Sequence, residues 1–258
     1  MTRPLPSSTG RPLVIAHRGA KAYKPENTLA AYALAVAQGA DMVEIDIHLA
    51  RDESMPISHD AALERFGQAG EIVEVSLDEL RAMSASAFAA RGSDKAYEEI
   101  PVLNEVLDQF GDVIPFNLEI KTMTDERPYA GLQKMIVDQV VERGLLEQTL
   151  FSSFSDPVLR ELRDLCPKAR LGVLVDPRAP AGIFERADVI DAESINPHFV
   201  NTNAGLVEEA HQKGLAVYVY TVDEPAQMRE LFALGVDGIF SNVPDLLREV
   251  VASLTNQA

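Results

Sequence analysis

A single cysteine, Cys166, stands in 258 residues. That excludes an internal disulfide and suits a reducing compartment. Tryptophan is absent, which excludes nothing. No run approaches the ~18 uninterrupted apolar residues of a membrane span. The opening MTRPLPSSTGRPL has prolines and polar residues where a signal peptide needs an apolar core, so a cytoplasmic location is the expectation. Basic residues are also scarce, 23 Lys and Arg against 40 Asp and Glu, for a formal charge of −17. Such a surface repels nucleic acid and anionic lipid, leaving a small molecule as the expected partner. An anionic ligand would need a bound cation or a few convergent Lys and Arg side chains to overcome the global field. Oligomeric state is not legible.

Hydrophobic residues make up 47% of the chain, ample for a core. Short apolar or β-branched runs predict strands at 13–17, 42–50, 114–121, 149–154, 170–175, 194–199, 216–221 and 238–241. Helix-like segments lie between them, such as TLAAYALAVAQG, AGLQKMIVDQVVERG, DPVLRELRDLC, NAGLVEEAHQKG and EPAQMRELFALG. Several start at Thr, Asp or Asn and close on Gly, as capped helices do. Alternating β and α elements imply parallel strands with right-handed crossovers. Eight of them in a chain near the typical ~250 residues predict one α/β domain over 1–258, a closed (β/α)8 barrel. Residues 51–112 exceed a simple loop and predict an insertion after the second strand: an extended segment, then a helix leading to the third. Within it, 84–99 is the expected mobile stretch.

In MVEIDIHL (42–49), alternation places Met42, Glu44, Asp46 and His48 on one face and Val43, Ile45, Ile47 and Leu49 on the other. A water-facing antiparallel strand would explain this, but in a parallel barrel neither face meets bulk water. Glu44 and Asp46 must then point into the barrel, toward the mouth where active sites of this fold lie. In IPFNLEIK (114–121), Glu119 and Lys121 share the inward face. Three carboxylates without clustered thiolates favour a hard divalent cation, Mg²⁺ or Ca²⁺. The first strand ends in Ala16-His17-Arg18-Gly19, and a second imidazole, His59, follows the segment PIS. Imidazoles move protons near neutral pH, and a guanidinium fork suits phosphate oxygens. Lys24-Pro25-Glu26-Asn27-Thr28 reads as a rigid loop and a helix cap, with Lys24 exposed.

Together HRGAKAYKPENT, GADMVEIDIHLARD, PISHDAALER, IPVLNEVLDQF with FNLEIK, and VYVYTVDEPAQMRELFALGVDGIFSNVPD resemble the glycerophosphodiester phosphodiesterase family over about residues 13–247. The resemblance implies a TIM barrel with a small insertion after the second strand. It also implies one divalent cation at the mouth and hydrolysis of a glycerophosphodiester to sn-glycerol 3-phosphate and an alcohol. Glu44, Asp46 and Glu119 match metal ligands of the family, and His17 and His59 its acid–base pair. Arg18 and Lys121 match phosphate-holding positions; Phe154 and Tyr220 match aromatic positions on the glycerol side. Tyr220 replaces a usual tryptophan, Asp223 stands where asparagine is common, and Arg65-Phe66 replaces a usual Arg-Thr-Thr run. His48 is a candidate pocket residue; His198 reads as structural and His211 as exposed on a helix. Cys166 has no visible catalytic partner. The related alternatives are a lysophospholipase D and a barrel that only binds phosphate ligands.

Overall fold

Outward-facing side chains decide how this chain closes on itself. A computed structural model describes residues 11–90 and 97–255. Its strands are β1 (Leu13–Ala16), β2 (Met42–Ile47), β3 (Phe116–Ile120), β4 (Thr149–Ser153), β5 (Arg170–Val175), β6 (Ser194–Pro197), β7 (Ala216–Val219) and β8 (Gly238–Ser241). They pair in parallel in chain order, and β8 pairs with β1 to close the barrel. Every predicted strand is present: 170–175 and 238–241 keep their predicted bounds and the other six are trimmed at their ends. Val43, Ile45 and Ile47, with Phe116, Leu118 and Ile120, face outward into the main apolar core beneath the helices. With both faces buried, the strands form a packed (β/α)8 barrel rather than an open sheet.

The predicted helices are α1 (Leu29–Ala37), α4 (Leu132–Glu142), α5 (Asp156–Leu165), α7 (Ala204–Gln212) and α8 (Pro225–Ala233). The Oγ1 of Thr28 caps α1 by accepting from the Ala31 N–H, and Asn203 caps α7 through Leu206. Two further helices, α6 (Ile183–Val189) and α9 (Pro244–Thr255), complete the ring. The insertion holds α2 (Leu77–Ala90) and α3 (Leu103–Phe110). The extended segment ahead of them bridges Ile57 to Ile47 and Pro56 to Val102. Of the stretch expected to be mobile, 84–90 completes α2, and 91–96 lies outside the described residues. Among the described residues no helix is long and apolar enough to cross a membrane.

Inside the barrel, Leu13, Ile15, Met42, Leu150, Tyr218 and Phe240 form an apolar plug. Toward the mouth the lining turns polar: Asn117 donates to Ser152 Oγ at 2.9 Å, and Ser194 Oγ contacts Asn196 Oδ1 at the same distance. Gly172 sits against this layer because a Cβ there would lie 2.8 Å from Ser194 Oγ and 3.2 Å from Asn196 Nδ2. Gly172→Val is therefore expected to destabilise the fold by about 1–3 kcal/mol through overpacking, read as a lower thermal midpoint. A midpoint equal to wild type would mean that the interior can yield there.

Candidate active site

Register brings the acids together. Asp46 on β2 is directly opposite Glu119 on β3, and Glu44 is opposite Asn117. Glu44, Asp46 and Glu119 each offer an oxygen within 4.8 Å of the other two. Asp46 is fully buried, Glu44 nearly so at 2% exposure. Burial, reinforced by Asp46 and Glu119, pushes the Glu44 carboxyl well above the usual carboxylate range. Burial also opposes ionisation of Asp46, but Lys121 and Arg18 prevail and hold it below that range.

The cations are built into the same mouth. Lys121 Nζ lies 2.6 Å from Glu119 Oε1 and 3.3 Å from Asp46 Oδ1. Burial works against its charge, yet these carboxylates keep it an ammonium, above the usual lysine range. Arg18 Nε lies 3.2 Å from Asp46 Oδ2, and the Arg18 backbone N–H donates to Glu44 Oε2 at 2.8 Å. Arg18 and Asn27 adopt left-handed backbones, φ 54° and 58°, uncommon for residues with a Cβ and worth a functional reading here. The turn lets the Asn27 N–H donate to Arg18 O while the Asn27 side chain donates to Asp46 Oδ2 at 2.9 Å. Gly19 makes the crossing possible, since a Cβ there would fall 2.7 Å from the Ala31 backbone.

This corrects the bland reading of the Pro-Glu-Asn-Thr segment. Thr28 is a helix cap, but Asn27 reaches the acid cluster, oriented from behind by the Tyr32 hydroxyl at 2.9 Å. Glu26 gathers Arg18, Lys21 and Arg65 at 3.1, 2.8 and 3.0 Å. Burial opposes its charge, but Lys21, Arg18 and Arg65 lower its carboxyl to about 2. Lys24 is exposed, as expected.

The imidazoles occupy different positions. His17 is half-buried, with Nδ1 2.8 Å from Asn242 Oδ1. That amide oxygen can only accept, so Nδ1 carries the proton and Nε2 keeps its lone pair. Asn242 is itself held by Asp223, which accepts from its backbone N–H at 2.7 Å and its side chain at 2.6 Å. Burial, with Arg18 nearby, lowers the His17 imidazole to about 3. His59 is more exposed, its Nδ1 2.7 Å from Asp60 Oδ1.

A chamber of about 230 Å³ is lined by His17, Arg18, Glu44, Glu119, His59 and an aromatic wall. In that wall Phe154 and His198 both meet Tyr220 edge-on, at 6.0 and 5.3 Å between centroids. The Tyr220 hydroxyl is turned away, donating to Val175 O at 2.5 Å. His198, read from sequence as structural, is thus part of the chamber wall. Alternation along Ser194 and Asn196 of β6, continued to His198 just past its end, is the signal in the sequence that could have found it. A groove of about 900 Å³ adjoins the chamber and shares His59, Glu119 and Phe154 with it; Thr122, Thr124, Glu126 and Asp156 also line it. His48 borders the groove but is fully buried. His211 is exposed, paired with Asp237. Cys166 follows α5 and has no role in the site. Asn242 went unnoticed in the sequence, and Asp223 was marked only as a departure from a usual asparagine; Asn242 continues the inward face of β8, but nothing local marks its pairing with His17 or Asp223.

Comparison with known proteins gives a consistent result. Residues 17–246 match the model of the glycerophosphoryl diester phosphodiesterase family. A glycerophosphodiester phosphodiesterase of Caldanaerobacter subterraneus subsp. tengcongensis is 31% identical, over 93% of this chain and 97% of the relative. A lysophospholipase D of Rattus norvegicus is 27% identical over 93% of this chain and 86% of that one. A phosphodiesterase structure from Oleispira antarctica, in complex with the product sn-glycerol-3-phosphate, superposes with a TM-score of 0.78 at 30% identity, covering 95% of this chain and 98% of the other. With the family match spanning nearly the whole barrel and the site residues gathered at its mouth, the chain belongs to the glycerophosphoryl diester phosphodiesterase family, a family of phosphoric diester hydrolases.

Proposed function

We propose that the protein hydrolyses a glycerophosphodiester to sn-glycerol 3-phosphate and an alcohol, with a divalent cation, Mg²⁺ or Ca²⁺, at Glu44, Asp46 and Glu119. The observation that carries this reading is one mouth holding three carboxylates, Arg18, Lys121 and two imidazoles around a small chamber that opens into a groove. The donor set fits a hard cation: all three ligands are oxygen, buried Glu44 Oε1 lacks a hydrogen-bond partner, and Asp46 Oδ1 has the 3.3 Å ion pair to Lys121 but no hydrogen bond. Glu44 points the same way, since burial and the neighbouring Asp46 and Glu119 raise its carboxyl, a crowding of acids that a cation would relieve. When bound, the cation would offset charge on phosphoryl oxygens and lower the pKa of a hydroxyl beside it.

The chain's own groups do the rest. Arg18 and Lys121 supply fixed positive charge for the phosphoryl group in a site shielded from water. The glycerol moiety fits the chamber against Phe154 and Tyr220, and the leaving alcohol fits the groove. His17, deep in the chamber with Nε2 free, takes the proton of the attacking hydroxyl. His59, shared by chamber and groove, gives a proton to the leaving oxygen. The nucleophile is the glycerol 2-hydroxyl: its oxygen bonds to phosphorus as the P–O bond to the alcohol breaks, leaving a cyclic phosphate. Water then opens the ring, with His59 taking its proton and His17 returning one to the 2-oxygen.

A coupled assay for glycerol 3-phosphate release tests this reading, comparing glycerophosphocholine with lysophosphatidylcholine in Mg²⁺, in Ca²⁺ and in chelator. Release from glycerophosphocholine, lost on chelation, is expected. Glu44→Gln, Asp46→Asn and Glu119→Gln should each weaken metal binding and turnover together, since each removes a charge and a ligand. Full activity after chelation, with no residual metal by elemental analysis, would remove the cation from the proposal. The rat relative keeps lysophospholipase D in view, but the threonines and carboxylates lining the groove suit a polar alcohol better than a lipid. Choline release from lysophosphatidylcholine alone would reverse that choice.

A further inference from the structure

His48 is a side chain the proposed chemistry does not use, yet it is fully buried within two residues of the acid cluster. Both ring nitrogens are engaged. Nε2 lies 3.3 Å from the backbone carbonyl of His59, and Nδ1 lies 2.8 Å from the Tyr129 hydroxyl. A carbonyl oxygen only accepts, so Nε2 must carry the hydrogen. Nδ1 is then a lone pair, and the Tyr129 hydroxyl must donate to it. The opposite tautomer would set the Nε2 lone pair against that of the carbonyl. Tyr129, itself 2% exposed, packs edge-on against His48 with centroids 5.7 Å apart and an interplanar angle of 87°.

This arrangement matters because of where the His59 backbone stands. Just before it, the chain is anchored by Ile57 N–H to Pro101 O at 2.9 Å and Ser58 N–H to Asp46 O at 3.1 Å. Just after it, the next anchor is Ala61 O, which accepts from the Ile72 N–H at 2.8 Å. Between those points, among the described residues, the contact from His48 is what ties the backbone of His59 to the barrel. The His59 ring, at the boundary of chamber and groove, is turned by Asp60 at Nδ1, and the backbone that carries it inherits its position from that tie.

We infer that His48 is a positioning residue for His59, with its tautomer set by Tyr129. The inference rests on the two-imidazole reading above. An imidazole displaced by ~1 Å can cost on the order of 10²-fold in rate. The glycerol and phosphate contacts come from other residues, so the effect should fall on kcat with KM little changed. A glutamine at 48 can place an N–H where Nε2 is, whereas leucine cannot.

The test measures kcat and KM for glycerophosphocholine in the metal-loaded enzyme, with thermal midpoints alongside. His48→Leu is expected to lower kcat by about 10²-fold, with KM within a few-fold, and His48→Gln to recover most of it. Tyr129→Phe should lower kcat in the wild-type background but have no further effect in His48→Leu, because the hydroxyl then has nothing to act through. His59→Ala is the control for the reading beneath. If His59→Ala is inactive while His48→Leu keeps wild-type kcat, the positioning role is overturned and the acid–base reading stands. If His59→Ala keeps wild-type turnover, both fall. Equal loss in His48→Leu and His48→Gln, tracking a lowered thermal midpoint, also overturns the inference, since the residue would then only be filling space.

Discussion

His17→Ala is expected to lower kcat by at least ~10²-fold, the usual scale of general acid–base catalysis being 10²–10⁴. His59→Ala should do the same. The two losses should differ in how they respond to the leaving group. If His59 protonates the departing alkoxide, an alcohol of lower pKa needs less help, so activated substrates should restore much of the His59→Ala rate. They should restore little of the His17→Ala rate, because that imidazole serves the attacking hydroxyl. Equal recovery in both variants would undo the assignment of roles. Wild-type turnover in either variant would remove that histidine from the chemistry.

The environment of His17 adds a pH signature. Burial and Arg18 lower its imidazole to about 3, from an ordinary 6.5, so it is neutral and able to accept a proton throughout the neutral range. In the unfolded chain the same ring takes up a proton below pH ~6.5, while the folded protein does not. Its contribution to stability is therefore complete above pH ~6.5 and is lost as pH falls from there toward 3. Thermal midpoints measured between pH 7 and 5 should fall less steeply for His17→Ala than for wild type. Parallel curves would mean that the ring is protonated in the folded protein after all.

The second large effect belongs to the substrate. A glycerophosphocholine analogue with hydrogen in place of the 2-hydroxyl should bind and yet turn over several orders of magnitude more slowly. A hydroxyl tethered beside phosphorus avoids the entropic cost of recruiting a separate nucleophile, an advantage equivalent to effective molarities of 10⁵–10⁸ M in well-oriented cases. The chamber proposed for the glycerol, about 230 Å³ and walled by Phe154, Tyr220 and His198, is where that hydroxyl would be held. Affinity must be measured separately, by competition, because the missing hydroxyl also removes a contact. Turnover of the bound analogue at the parent rate would make water the direct nucleophile and eliminate the cyclic phosphate.

What the sequence determined by itself was whatever local period encodes. Alternation in MVEIDIHL and FNLEIK assigned Glu44, Asp46 and Glu119 to one side and the branched residues to the other, and the structure keeps that division. The βα rhythm implied a parallel barrel, and closure turned an inward face into a site at the mouth. Caps at Thr28 and Asn203 were legible because they act over three residues. Tertiary structure alone decided what depends on chain segments far apart. His17 is held through Asn242, 225 residues away, because β8 closes on β1. Asn27 is a buried donor to Asp46 only because the loop after β1 folds back over β2. His198 enters the chamber wall because β6 ends beside β7. His48 could be read as facing inward, but not as serving His59, because that contact is set by how the insertion returns across the barrel rim. Periodicity fixes which way a side chain points; only packing fixes what it meets there.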